Sequence, residues 1–145
     1  MSKVWRSRWK RESPPRDGLL PRSLDHLKSF TEVYEPSDDT YLFVDCLRYL
    51  GKYLREEYFH PDQVLCFLEV GSGSGVLSAV LAEELQDQGG VFGFAVDCNP
   101  SACEASLETF RSNGLSGHVE VIQSDLIPTF LNSCIDIFLF NPPCE

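Results

Sequence analysis

The stretch Glu69-Val70-Gly71-Ser72-Gly73-Ser74-Gly75 decides how this chain folds. It closes the short, almost wholly apolar run Val64–Val70, which reads as a strand buried on both faces. It opens residues 76–85, where Leu77, Val80, Leu81 and Leu85 recur at helical spacing. Glycines at such a junction take positive φ and let the backbone pass close beneath a ligand. The helix that follows presents unpaired N–H groups to the same space.

Working outward, strands and helices alternate. Upstream, Ser37 can cap a helix, and Asp38 and Asp39 set negative charge against its positive end. Leu42, Phe43, Cys46, Leu47, Leu50 and Leu54 then form a helical stripe that runs to about Glu57, and Pro61-Asp62 makes a turn. Downstream, Gly89-Gly90 stops the second helix and residues 91–96 form a second strand. Asn99 caps a third helix, with Pro100 at its first position and an end near Gly114. Residues 119–122 are a third strand, 128–131 at most a short turn, and 135–140 a fourth strand leading into Asn141-Pro142-Pro143. Helices of this length between strands imply right-handed crossovers and a parallel sheet.

The chain has 145 residues, 43% of them hydrophobic, enough for one packed domain. It contains no apolar run of ~18 residues and no segment laid out like a secretory signal, so it reads as intracellular, with no membrane contact. Cys46, Cys66, Cys98, Cys103, Cys134 and Cys144 include no Cys-x-x-Cys pair, and no histidine stands at zinc-finger spacing. They are expected to be buried free thiols, with no metal site. Residues 1–30 hold eight Lys or Arg against three acids, so the body carries −15 of a chain whose total is −10. With Pro14-Pro15, Gly18 and Pro21 and no apolar period, residues 1–30 read as a disordered basic extension and 31–145 as the domain. An acidic body is unsuited to binding a nucleic-acid backbone directly, and suits a basic protein partner or solubility.

The ligand follows from which glycine loop this is. A dinucleotide fingerprint needs a third glycine at the sixth position, where Val76 stands. A phosphate-binding P-loop needs a lysine, and none is present. Glu69 would repel a pyrophosphate and attract the ammonium of an amino-acid cofactor such as S-adenosylmethionine. Asp97 ends the second strand, where a carboxylate can accept both ribose hydroxyls. Asp125 follows the third, within reach of an adenine amino group. Ligands of such sheets sit beyond the carboxyl ends of the strands. At the end of the fourth strand, Pro142 and Pro143 fix the backbone and lack N–H donors. The Asn141 side chain and the Pro142 carbonyl can then hold an –NH2 by its two hydrogens. An amide nitrogen is a poor nucleophile, so positioning it contributes most of the rate gain.

These motifs resemble the seven-stranded S-adenosylmethionine methyltransferases with an Asn-Pro-Pro motif, of the class I Rossmann-like fold. Val33-Tyr34-Glu35-Pro36-Ser37-Asp38-Asp39-Thr40 and residues 68–78 further resemble the HemK-like glutamine methyltransferases of the eukaryotic and archaeal branch. The resemblance covers about residues 33–143. It implies N5-methylation of the glutamine in the Gly-Gly-Gln loop of a translation termination factor, in the cytoplasm and also the nucleus. It implies Thr40, Glu69, Gly71, Gly73, Asp97, Asp125, Leu126 and Asn141 on S-adenosylmethionine, and Asn141, Pro142 and Pro143 on the substrate amide, with Asn141 and Pro142 catalytic. It implies a heterodimer with a small zinc-binding activator subunit pairing along the third strand, at Val119, Val121 and Ile122.

The sequence departs from this family in two places. Cys144 stands where the family carries an aromatic after Asn-Pro-Pro. The family sheet has order 3-2-1-4-5-7-6, and the sequence to Glu145 supplies only the 3-2-1-4 half. The expectation is an incomplete gene product or splice variant with weak cofactor affinity and impaired turnover, its fourth strand an open apolar edge. Two alternatives are a methyltransferase for adenine N6 or guanine N2 of nucleic acid, since Asn-Pro-Pro suits any planar –NH2, and a non-catalytic form that binds the activator subunit.

Overall fold

In the computed structural model of the chain, residues 20–21, 23–57, 62–86, 90–127 and 134–142 are described. The elements are a 3-10 helix (Asp25–Ser29), α1 (Asp38–Glu57), β1 (Val64–Val70), α2 (Val76–Leu85), β2 (Gly90–Asp97), α3 (Pro100–Ser112), β3 (Val119–Gln123) and β4 (Ile137–Phe140). The four strands form one sheet of order β3-β2-β1-β4, parallel throughout. The parallel pairing is what the alternation of elements predicts, and the order is that of the class I Rossmann-like fold which the resemblance implies. Val70 pairs with Val96 on one side and Phe140 on the other. The strands therefore end in step, so Gly71 and Asn141 just beyond β1 and β4 share one rim with Asp97 at the end of β2.

Alternation along each strand divides the sheet into two faces. Phe67, Val91, Ala95, Val119 and Leu139 point into a core shared with residues of α1, α2 and α3. Leu68 and Val96 point the other way, with Val70, Phe94, Ile122 and Ile135 packed against them. Eight of the ten residues of α2 are buried, so its apolar positions extend well beyond the Leu77, Val80, Leu81 and Leu85 stripe. The reason is that α2 packs against α1 as well as against the sheet. Ion pairs fasten the two helices: Arg48 to Glu83 at 3.0 Å and to Glu84 at 2.7 Å, with Arg55 also on Glu84.

α3 starts and stops as its sequence dictates. The Asn99 side chain accepts from the Ser101 N–H at 2.9 Å, with Pro100 following. At the other end Gly114 (φ 74°) donates to Arg111 O and Leu115 donates to Phe110 O, which is a Schellman closure. Phe110 and Leu115, both buried, supply its hydrophobic contact.

Four expectations are corrected. Gly90 does not stop a helix: α2 ends at Leu85, and Gly90 begins β2 opposite Val64, where an added Cβ would lie 2.6 Å from that valine's Cγ2. β4 starts at Ile137, not Ile135, because Asp136 clasps β1 instead of pairing as a strand residue. Its carboxylate accepts from Cys66 N–H and its N–H donates to Cys66 O, both at 2.8 Å. Of the described cysteines only Cys103 is buried, while Cys98 and Cys134 are exposed; all five are free. Ordered structure also reaches into the expected extension, ahead of residue 31: Leu27 is buried, and Ser23 N–H donates to Asn113 Oδ1 while Asn113 Nδ2 donates to Ser23 O. Residues 1–19 and 22 of the basic extension, Pro61, Gly89 and the expected turn at 128–131 lie outside the described residues. Among those described, no helix is long and apolar enough to cross a membrane, and no group of three His, Cys, Asp or Glu could hold a metal ion.

Candidate functional site

The loop after β1 folds back over β2. Gly71 and Ser72 both donate to Val96 O, at 2.8 and 3.1 Å, and Gly75 N–H closes the turn onto Ser72 O at 2.8 Å. Gly71, Gly73 and Gly75 all have positive φ. At Gly75 the requirement is twofold, because a Cβ there would lie 2.9 Å from the Ser106 Cα of α3. α3 braces the loop further: Ser106 Oγ donates to Gly73 O at 3.1 Å and Thr109 Oγ1 donates to Ser74 O at 2.7 Å. Since Thr109 gives its hydrogen to Ser74, its 2.8 Å contact with His26 Nε2 requires that nitrogen to donate. The 3-10 helix is thereby tied, through α3, to the loop.

Glu69 is 2% exposed, and its Oε2 accepts from the N–H (3.0 Å) and the hydroxyl of Ser78. Ser78 stands in the first turn of α2, so the strand-end carboxylate satisfies a donor that the helix itself cannot. Burial pushes the Glu69 carboxyl up to about 7; the Ser78 bonds oppose this and the charge of Asp97 adds to it. Asp97 accepts from Gly73 N–H through Oδ2 and from Asn99 N–H through Oδ1, both at 2.9 Å.

These groups open onto a pocket of about 390 Å³. Its floor is the glycine loop with Glu69 and Asp97, and its walls come from the segment before α1 and from Asn141. Glu32 closes one side, its backbone O accepting from Asn99 Nδ2 and its carboxylate from Ser101 Oγ, both at 3.3 Å. Thr40, 6% exposed, lines the pocket and accepts the Ser37 N–H at 3.3 Å. Ser37 caps α1 through its carbonyl, which accepts Tyr41 N–H at 2.9 Å, while its hydroxyl goes to Asp39. Hydrogen bonds from the Ser37 hydroxyl and then the Asn141 amide hold the Asp39 carboxyl below the usual range.

Of the residues singled out from sequence, Thr40, Glu69, Gly71, Gly73, Asp97 and Asn141 come together around this pocket. Asp125 and Leu126 do not: both are exposed, Leu126 at 75%, and neither lines it. Ser124 and its successors leave β3 in a turn in which Ser124 Oγ donates to Leu126 O at 2.7 Å. Pro142 is exposed beyond β4 and outside the lining, while Pro143 and Cys144 fall outside the described residues. On the β3 edge Val119 is buried in the core, so only Val121 and Ile122 keep partial exposure. Sequence reasoning missed Asp39 and Glu32 as pocket residues and Ser78 as the partner of Glu69. A signal existed for Ser78, a hydroxyl three residues past the helix N-cap and facing a buried acid. None existed for Glu32, whose contacts are to residues some seventy positions away.

The methyltransferase small domain family model matches residues 53–145. The chain belongs to that family. It is 37% identical to human methyltransferase HEMK2 over 118 residues, covering 79% of this chain and 50% of that protein. It is 32% identical to the fission yeast "eRF1 methyltransferase catalytic subunit mtq2", covering 81% of this chain and 52% of that one. This methyltransferase small domain chain thus spans about half the length of the curated relatives it matches. Among solved structures, the N-terminal domain of human METTL16 in complex with SAH superposes with a TM-score of 0.58 at 16% identity, over 77% of this chain and 44% of that one. At that identity the likeness concerns the fold.

Proposed function

We propose that this chain is the cofactor-binding part of an S-adenosylmethionine-dependent N-methyltransferase that modifies the glutamine of the Gly-Gly-Gln loop of a translation termination factor. One observation carries the cofactor: the described pocket lining holds Glu32, Asp39, Glu69 and Asp97 and no Lys or Arg. Such a cavity repels phosphate and favours a ligand that brings its own positive charge. S-adenosylmethionine does so as sulfonium and ammonium, and supplies an electrophilic methyl group. Each Asp97 oxygen accepts one backbone N–H and keeps a further lone pair that suits a ribose hydroxyl, and the Glu69 carboxylate suits the ammonium. Asn141 Oδ1 and the Pro142 carbonyl accept the two hydrogens of the substrate –NH2, orienting its nitrogen toward the pocket.

The fission yeast relative, named for methylation of eRF1, supports the substrate. The words "catalytic subunit" in that name favour a second subunit here also, and an activator pairing along β3 would meet Val121 and Ile122. With this substrate the protein would act in the cytoplasm. The test is transfer of labelled methyl from S-adenosylmethionine by the full-length protein, with its activator, to termination factor. Labelling that disappears in the factor's Gly-Gly-Gln Gln→Ala variant is the expected result. Labelling of both alike, or of RNA instead, refutes it. Calorimetry in which the protein takes up NAD or ATP but ignores S-adenosylhomocysteine would refute the cofactor.

A further inference from the structure

Asn141 enters the pocket from β4 with its side-chain amide already engaged. Its Nδ2 donates to Asp39 Oδ2 at 3.2 Å, across 102 positions of sequence. A carboxylate only accepts, so this contact selects one of the two orientations of a nearly symmetric amide, with Nδ2 toward Asp39 and Oδ1 turned away from it. The opposite orientation would set two oxygens against each other and turn N–H donors toward a substrate –NH2, donor facing donor.

Asp39 is itself held in place. Its Oδ1 accepts from the Ser37 hydroxyl, which also contacts the Tyr34 hydroxyl at 2.8 Å. It sits in the first turn of α1, and that helix is pinned to α2 by the Arg48 and Arg55 ion pairs with Glu83 and Glu84. A rigid element therefore presents one acceptor at a fixed point on the rim where Asn141 emerges.

Building on the glutamine-amide reading above, we propose that Asp39 is a positioning residue that fixes the Asn141 amide so that its Oδ1 faces the substrate –NH2. Asp39 touches neither the reacting nitrogen nor the methyl group in this role. Its effect passes through Asn141, and that makes it separable from a general electrostatic or folding effect.

The experiment measures, by calorimetry, binding of a Gly-Gly-Gln peptide to full-length protein saturated with S-adenosylhomocysteine. Asp39→Ala should weaken the peptide about tenfold, the usual consequence of losing a hydrogen bond to a charged group. Asp39→Asn keeps an acceptor oxygen in place without the charge and should restore affinity to within about threefold. In an Asn141→Ala background, Asp39→Ala should cost nothing further, because the group it orients is gone. Additive losses in the double variant, or an Asp39→Asn as weak as Asp39→Ala, overturn the proposal and leave the glutamine reading standing. Wild-type protein that binds S-adenosylhomocysteine but no peptide overturns both. Should Asp39→Ala unfold the protein, Asp39→Ser carries the test, since serine suits the first helical turn yet falls short of Nδ2.

Discussion

The two sides of the pocket are built by different means. On the β1–β2 side the carboxylates and the loop are tied down: Glu69 to Ser78, Asp97 to Gly73 and Asn99, and the loop carbonyls to Ser106 and Thr109. On the outer-strand side, among the described residues, the Asn141 side chain bonds to Asp39, Pro142 is exposed, and Asp125 and Leu126 stand away from the pocket. The lesson is that the cofactor side is preorganised by the fold of β1, α2, β2 and α3. The acceptor side is shaped by residues with few bonds of their own and depends on what docks there. The sheet faces repeat the contrast. Among described residues all three α-helices share the core of one face, while Phe138 and Phe140 on the other are 52% and 54% exposed.

The hardest way to break this contrast is at Gly75. Gly75→Ala forces a Cβ into left-handed backbone and against Ser106, 2.9 Å from its Cα. We expect a loss of about 4 kcal/mol in urea unfolding, backbone strain and overpacking together. A loss below about 1 kcal/mol would mean that α3 yields easily and that the loop is not held as rigidly as its hydrogen bonds suggest.

Glu69→Gln sharpens the same side through pH. The folded carboxyl is raised from 4.5 to about 7, so its contribution to stability is present below 4.5 and lost as pH rises through about 7. Glutamine does not titrate and can still accept from Ser78. The stability difference between variant and wild type should therefore move in the variant's favour by about 3 kcal/mol from pH 4.5 to 8. An ammonium docking on Glu69 would reverse its shift, so binding of S-adenosylmethionine to wild type near pH 6.5 should release a proton. Calorimetry in buffers of different ionisation heat reads that release, and its absence would remove the ammonium from Glu69.

The same division governed what the sequence could show. The strand and helix sequence, the parallel order and the rim residues Glu69, Asp97 and Asn141 were legible because local patterning and end-of-strand position specify them. Asp125 was read by the same positional rule, yet after β3 it stands exposed and outside the pocket lining, and no local pattern reports where such a turn leads. Gly90 was mistaken for a helix stop because a glycine needed for packing against Val64 looks, in sequence, like one needed for a turn. Asp39 was seen only as charge at a helix start. Its contact with Asn141 joins segments 102 positions apart and exists only once the sheet has formed.

A smaller effect is expected at Asp97. Asp97→Asn turns one of its acceptor oxygens into a donor facing an N–H, so either Gly73 or Asn99 loses its partner. About 1.5 kcal/mol of stability should go with it. Affinity for S-adenosylhomocysteine should fall by more than the stability alone explains, because the ribose acceptor is altered too. Equal affinity in both proteins would move the ribose elsewhere in the pocket.

The smallest expected effect is the one that tests the contrast itself. Asp125 and Leu126 are exposed and lie outside the pocket, so Asp125→Ala and Leu126→Ala should leave the melting temperature unchanged. If the turn after β3 stays where it is, S-adenosylhomocysteine affinity should change less than about twofold. Resemblance to the family puts both residues on the adenine, and for that the turn must swing inward when cofactor binds. A loss of about tenfold in affinity at unchanged melting temperature would be the mark of that closure, since a group contributing only in the bound state alters binding and not folding. The outer side of the pocket would then be completed by its ligand, while the β1–β2 side is complete without one.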